Sequence, residues 1–179
     1  MLRESIDAEE RLLLHVVGDR AIEVVFDAME VMTEIDWPAQ RVQIEHGDGV
    51  DGDLVERFGP DRLLSRFRSL IDAGIPVAIG SDGPPNPWLD VMLAAVHPLH
   101  PSEAISVEEA VVASTLGAAF AEDREQVKGS IAVGKLADLA VLSQDVFTIP
   151  VSQIVATRSL LTMVGGEIVY DSGDTLEAP

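Results

Sequence analysis

Cysteine is absent from this chain, and basic residues are scarce. Without cysteine the chain can form no disulfide bond, no thiolate nucleophile and no cysteine-bound zinc site, so any metal ion must be held by histidine and carboxylate groups. Only 12 Lys and Arg residues stand against 31 Asp and Glu residues, which gives a formal net charge of −19. Nucleic acid and anionic membranes attract clustered cations, so neither is expected as a partner.

Long apolar runs and aromatic residues are also scarce. No run approaches the roughly 20 apolar residues that span a bilayer as a helix, and the first residues lack the basic head and apolar core of a secretory signal. We therefore expect a cytoplasmic protein. Aromatic residues make up 4% of a chain that is 47% hydrophobic, which is typical of buried parallel strands packed against helices rich in Ala, Val and Leu.

Three short apolar runs have the pattern of strands buried on both faces, and each leads to an ionisable residue. His15 lies near the end of the first run, His46 closes the second, and Asp82 follows the third, just beyond Gly80. The runs are Leu12–Val17, Arg41–His46 and Ile75–Ile79.

Helical patterns separate these runs. The spacing of apolar residues predicts one helix after Asp19, broken at Trp37-Pro38, and another over residues 61–73, ended by Gly74. The order strand, helix, strand, helix, strand predicts an α/β fold with parallel neighbouring strands.

The carboxyl ends of parallel strands meet at one edge, where such folds bind ligands. His15, His46 and Asp82 would share that edge and could bind Zn²⁺ or a similar divalent ion, with a water molecule in an open position. The metal would lower the pKa of that water to about 7, and Asp82 could accept its proton and pass it to a leaving group. Each residue also has a structural explanation, since Asp before Gly-Pro is a common turn former and a histidine after Leu-Leu-Leu is often a hydrogen-bonded core residue.

Three further residues are candidate substrate contacts. Asp19 and Arg20 most simply cap the helix that follows, although a helix N-terminus at this edge could also bind an anionic substrate group. His97 and His100 lie in a loop broken by prolines. We expect both at the surface, with His97 as the candidate for touching substrate.

The sequence changes character after Lys128. Before it, a capping box at Ser106–Glu109 opens an apolar helix that we expect to run to about Glu122. After it, short strands at residues 139–142, 160–164 and 167–170, the last two joined by Gly165-Gly166 as a hairpin, predict a small antiparallel β layer.

Several motifs resemble those of the amidohydrolase superfamily, in its amidohydrolase-3 or YtcJ-like branch, and together they cover nearly all of the chain. The first three are His-Val-Val-Gly-Asp-Arg-Ala from His15, Arg-Val-Gln-Ile-Glu-His ending at His46, and Gly-Ser-Asp-Gly-Pro around Asp82. The last two are Lys-Gly-Ser-Ile-Ala-Val-Gly-Lys-Leu-Ala-Asp-Leu-Ala-Val-Leu from Lys128 and Val-Gly-Gly-Glu-Ile-Val-Tyr from Val164.

The resemblance implies a metal-dependent hydrolase on a (β/α)8 TIM barrel with a small β-sandwich. By motif, His15 would be the metal ligand of the fifth strand and His46 that of the sixth. Asp82 would be the acid of the eighth strand, which touches the metal and shuttles protons. The implied cofactor is a divalent metal, zinc in our expectation, and the implied reaction is hydrolysis of amide-like, non-peptide C–N bonds of a small-molecule substrate.

The match has gaps. The first four strands of the family's barrel have no counterpart, so the His-x-His pair of the first strand and the site residue of the fourth are absent. No clear apolar run stands where the seventh strand would be. We expect the C-terminal half of a barrel over residues 1–127, a β-sandwich remnant over 128–170 and a frayed tail over 171–179. Because an open edge of buried-type strands exposes unpaired backbone groups, we expect a homo-oligomer or completion of the barrel by another chain. The alternative function is a catalytically silent half-barrel that acts as a structural or oligomerisation module.

Overall fold

The computed structural model describes residues 2–46, 67–83, 86–98 and 100–173 of the chain. The chain forms two compact units, Met1–Ile75 and Pro76–Pro179. Both units contain helices and strands, so the fold is of the α/β class. The expected boundaries after residues 127 and 170 concern the family architecture and stay predictions.

The first unit alternates helices with two parallel strands. Its helices are α1 (Leu2–Asp7), α2 (Asp19–Glu30), α3 (Trp37–Gln40) and α4 (Phe67–Asp72), and its strands are β1 (Leu13–Val16) and β2 (Gln43–His46). The two strands pair in parallel, with Leu13 opposite Gln43 and Val16 opposite His46. This confirms the predicted order of strand, helix and strand over this part of the sequence.

The core of the first unit lies under α2. Ile22, Phe26 and Met29 recur at helical spacing, so they share one face of α2, and they are buried with Val16 of β1. Trp37 packs against this cluster, and its indole N–H donates to the Met29 carbonyl oxygen at 3.0 Å. The core therefore holds one helix face against one strand face.

One helix end differs from the prediction. The helix α2 ends at Glu30 rather than at Trp37-Pro38. Pro38 instead occupies the first turn of α3, where its missing N–H costs no helical hydrogen bond, and the Asp36 side chain caps that helix by accepting from the Ala39 N–H at 3.3 Å. Proline therefore begins a second helix here and does not break the first.

The second unit combines helices with an antiparallel sheet. A helix α5 (Pro87–Val96) precedes a longer one made of α6 (Val107–Val112), a π-helical turn (Ala113–Gly117) and α7 (Ala118–Ala121). The strands β3 (Leu139–Leu142), β4 (Ser159–Val164) and β5 (Glu167–Asp171) form a sheet in the order β3-β4-β5. Short 3-10 helices lie at Pro101–Glu103 and Val151–Ala156. No helix in the described ranges is long and apolar enough to cross a membrane.

Two local predictions in this unit are confirmed. Ser106 accepts from the Glu109 N–H at 3.1 Å while the Glu109 carboxylate accepts from the Ser106 N–H at 2.8 Å, which is the predicted capping box. Gly165 and Gly166 have φ of +58° and +87°. Positive φ at both central residues is what a tight two-residue hairpin turn requires, so these glycines fix the β4–β5 connection.

The run Ile75–Ile79 is not the third buried strand that its sequence predicts. No strand is formed there, and Pro76 and Ala78 are exposed. The Ile79 N–H donates to the Ala113 carbonyl oxygen in the helix at 3.3 Å. A strand needs a neighbouring strand to pair its backbone groups, and this run instead bonds a helix. Residues 61–66 of the predicted helix lie outside the described residues, as do residues 174–179 of the expected frayed tail, while Asp171 belongs to β5.

The core of the first unit yields a stability prediction. The side chain of Ile22 is 0% exposed, so Ile22→Ala should lower the free energy of unfolding by about 2–5 kcal/mol. Val24→Ala is the matched control, because Val24 on the same helix is 55% exposed and should change that free energy by less than about 0.5 kcal/mol. Denaturant unfolding followed by circular dichroism measures both, and equal losses would contradict this assignment of the buried face.

Candidate active site

His15 and His46 lie beside each other at the carboxyl ends of β1 and β2. The Nε2 atom of His46 is 3.1 Å from the Nδ1 atom of His15. The ring centroids are 4.4 Å apart, and the ring planes are inclined at 78°. Both side chains are exposed. The two histidines at strand ends are thus brought together on an accessible edge of the first unit.

The backbone at His46 explains how the two rings meet. The register places His46 opposite Val16, which is buried, so regular strand geometry would aim the His46 side chain toward the core. His46 instead has φ of +67°, and this rotation carries its side chain to the other face, toward His15. A residue with a Cβ adopts the left-handed conformation at a cost of about 1–2 kcal/mol.

The distance between the two nitrogens is compatible with two arrangements. In a metal-free pair, one ring donates its N–H to the other, and the donor is set by the tautomers. In a metal site, two nitrogens each about 2.0–2.1 Å from a tetrahedral zinc ion are about 3.3 Å from each other, close to the observed 3.1 Å. The pair therefore fits two ligands of a divalent ion.

Asp82 belongs to the second unit. It is exposed and has φ of +44°, a left-handed conformation that aspartate tolerates better than most residues. Within the described ranges, no group of three or more His, Cys, Asp or Glu side chains is arranged to hold a metal ion. The predicted set of three ligands is therefore present as a histidine pair in one unit and an aspartate in the other.

Asp19 is not the helix cap that the sequence predicts. The capping position is Gly18, with φ of +88°, and glycine has no side chain that could accept from the first N–H groups of the helix. Glycine adopts this conformation without the strain that a Cβ would bring, so the turn from β1 into α2 depends on Gly18. Arg20 forms an ion pair with Glu23 on the next turn, and its side chain is 78% exposed. The role of Asp19 and Arg20 in binding substrate stays a prediction.

His97 is buried, which corrects the expectation that it lies at the surface. Its side chain is 5% exposed, and the residue ends α5 in a left-handed conformation with φ of +42°. The His97 Nδ1 atom accepts the His100 N–H at 3.1 Å, so its ring folds back over the next turn of chain. His100 is partly buried. A contact between His97 and substrate stays a prediction.

Sequence reasoning missed two features that bear on the site. One is the left-handed backbone at His46, for which the pattern of a β-strand gives no signal. The other is Gly117, which lies in a helix of the second unit against the chain segment that leads to Asp82. A lone glycine inside a helical pattern is the signal that could have found it, because glycine weakens a helix unless a close contact requires it.

Most of the chain is similar to proteins of one family. Its residues 7–170 match the model of the Amidohydrolase family, and the chain belongs to this family. It is 28% identical over 210 residues to the putative amidohydrolase YtcJ of Bacillus subtilis, covering 96% of this chain and 39% of the relative. It is 28% identical over 197 residues to the N-substituted formamide deformylase of Arthrobacter pascens, covering 89% of this chain and 36% of the relative.

A solved structure shows the same fold. Atrazine chlorohydrolase TrzN from Arthrobacter aurescens TC1, complexed with zinc, superposes with a TM-score of 0.62 at 20% identity, over 99% of this chain and 48% of that one. The chain thus spans less than half the length of these proteins. Both sequence alignments are also longer than its 179 residues, so each relative has internal residues with no counterpart here.

The histidine contact yields a spectroscopic prediction. In metal-free protein, His46→Ala removes the neighbour of the His15 Nδ1 atom, so the ¹⁵N signal of that atom should change in long-range ¹H–¹⁵N spectra. Leu13→Ala is the control, because Leu13 lies on the same strand and is 59% exposed. A His15 ring that gives the same signals with and without His46 would contradict the contact.

Proposed function

We propose that this chain is a metal-dependent hydrolase, or the part of one, that cleaves amide-like, non-peptide C–N bonds of small molecules. Membership of the Amidohydrolase family supports hydrolysis of this kind, as does the similarity to an N-substituted formamide deformylase. The observation that carries the proposal is the 3.1 Å contact between the ring nitrogens of His15 and His46 at the ends of two parallel strands. Enzymes built on parallel barrels place catalytic groups at such ends.

The two histidines would hold a divalent ion, and Asp82 would complete the set of ligands. Zinc is our choice of ion, because imidazole and carboxylate groups suit it and because the TrzN structure contains it. When bound, such an ion polarises the scissile bond and supplies hydroxide from water near neutral pH.

The residues of the chain itself would bind, orient and move protons. The rings of His15 and His46 meet through their Nδ1 and Nε2 atoms, which would bind the ion, and the left-handed backbone at His46 turns its ring toward His15. The Asp82 carboxylate would accept a proton from the attacking water and return it to the leaving nitrogen, which must be protonated before the C–N bond breaks. Asp19 and Arg20 begin helix α2, which follows the strand of His15, and they would orient an anionic group of the substrate. His97 is a further candidate for contact with the substrate.

The architecture that we propose is the C-terminal half of a (β/α)8 barrel with an appended β layer. The parallel pairing of β1 with β2, the antiparallel sheet of β3, β4 and β5, and the match to 48% of the TrzN chain support it. The internal residues that the relatives have in excess would include the seventh strand, because the sequence between His46 and Ile75 has no clear apolar run for it. A second copy or another chain would then cover the open sheet edge.

Zinc binding tests the role of the histidine pair. His15→Ala and His46→Ala should each weaken zinc binding by at least about tenfold, measured by competition with a chromogenic chelator and by metal analysis of the purified protein. His100→Ala is the control, because it removes a histidine of the second unit, outside the pair. If neither substitution weakens zinc binding, His15 and His46 are not ligands of the metal.

Hydrolysis tests the role of Asp82. In protein that releases formate from an N-substituted formamide, Asp82→Asn should lower kcat by about 10²–10⁴-fold, since the amide cannot accept the proton. Activity that survives this substitution would contradict the proposed proton transfer.

The other candidate function is a catalytically silent structural module. The lack of a three-ligand group among the described residues favours it. A chain that binds no zinc and is a dimer or larger oligomer by light scattering would support it.

A further inference from the structure

The longest helix of the second unit contains a π-helical turn at Ala113–Gly117. The Ala118 N–H reaches back five residues to the Ala113 carbonyl oxygen. Within the turn, the hydroxyls of Ser114 and Thr115 donate to backbone carbonyls four residues earlier, at 2.9 and 2.7 Å. Hydroxyl groups that bond the preceding turn compete with the backbone ladder and favour a widened helix.

The segment that leads to Asp82 is attached to this turn at two points. The Ile79 N–H donates to the Ala113 carbonyl oxygen at 3.3 Å, which can accept a second hydrogen bond because it has two lone pairs. The Val77 carbonyl oxygen lies against Gly117, so close that a Cβ built on Gly117 would be 2.2 Å from it. Ala113 and Gly117 are four residues apart and lie on one face of the helix.

Only glycine permits the second attachment. Real Cβ atoms do not approach other heavy atoms within 3.0 Å, so a methyl group on Gly117 would have to move the Val77 carbonyl by about 1 Å. The obstacle is backbone on both sides, and no side chain can rotate away to relieve it. Gly117 therefore sets how closely the segment approaches the helix.

We propose that Gly117 is a positioning residue for Asp82. The segment is hydrogen-bonded to the helix at Ile79, and Asp82 follows three residues later. The position of Ile79 therefore limits where the Asp82 carboxylate can reach. In the proposed reaction, on which this inference rests for its catalytic consequence, a misplacement of about 1 Å costs up to about 10²-fold in rate. The π turn and Gly117 together hold the segment in place.

Two other glycines provide matched controls. Gly134 lies in the second unit and has φ of +92°, with nothing within 4 Å of an added Cβ. Gly134→Ala therefore strains the backbone without touching the π turn or Val77. Gly80→Ala adds a methyl group to the segment itself, at a position with nothing within 4 Å.

Amide hydrogen exchange measured by NMR tests the positioning itself. Gly117→Ala should raise the exchange rate of the Ile79 amide by at least about tenfold relative to other amides of the helix, and should shift the backbone signals of Asp82. Gly134→Ala, compared at equal stability from denaturant unfolding, should do neither, and Gly80→Ala should leave the exchange rate of the Ile79 amide unchanged. Unchanged Ile79 exchange and unchanged Asp82 signals in folded Gly117→Ala protein would overturn the proposal.

A second variant keeps the test decisive if Gly117→Ala does not fold. Ile79→Pro removes the N–H that bonds Ala113 and leaves the helix sequence intact, so it should shift the Asp82 signals in the same way, and unshifted signals would count against the proposal. In active protein, Gly117→Ala should lower kcat by about 10²-fold with little change in KM. If the unaltered chain hydrolyses nothing, the proposed function fails, whereas the exchange rates still decide whether Gly117 positions Asp82.

Discussion

The parallel pairing of β1 with β2 is the interaction on which the candidate site depends. Val16 is buried against the face of α2 that carries Ile22 and Phe26, and this burial fixes which side of the strands faces the core. A slip of one residue would exchange the two faces of a strand. In this register the rings of His15 and His46 meet because the left-handed backbone at His46 turns its side chain toward His15, so the packing of the first unit and this turn together position the imidazoles.

Two of the three proposed ligands, His46 and Asp82, have an unusual backbone conformation, and each is followed in the sequence by glycine. His46 and Asp82 have φ of +67° and +44°, where glycine would be the unstrained choice. A side chain that can bind metal or transfer a proton occupies each position instead. Local strain of this kind persists only where the surrounding structure holds it. Glu9, Arg41, His97 and Asp123 share this conformation outside the proposed ligand set, so it does not by itself identify a ligand.

The parts of the fold that the sequence predicts well are those that local interactions decide. The capping box at Ser106, the Gly165-Gly166 hairpin and the alternation of β1, α2 and β2 each depend on residues close together in the chain. The predictions that failed concern parts of the fold that depend on residues distant in the sequence. A strand at Ile75–Ile79 needs a neighbouring strand, and the burial of His97 depends on the path of the chain after α5. The sequence pattern specifies neither.

The same division applies to the site. The pattern places His15 and His46 at the ends of successive parallel strands, which predicts that they lie close together. The contact of their rings also depends on the left-handed backbone at His46, which the pattern does not indicate. The reach of Asp82 depends instead on how its segment is attached to a π-helical turn and to Gly117. That attachment joins residues that are more than 30 positions apart in the sequence. No periodic pattern of residues indicates it.

X-ray absorption at the zinc K-edge can decide whether His15 and His46 bind the metal, because it counts the imidazole rings around the zinc ion. Zinc-loaded protein should show at least two imidazole ligands at about 2.0–2.1 Å, and His46→Ala should remove one of them. A spectrum without imidazole scattering, or one that His46→Ala leaves unchanged, would contradict the assignment of His15 and His46 as metal ligands.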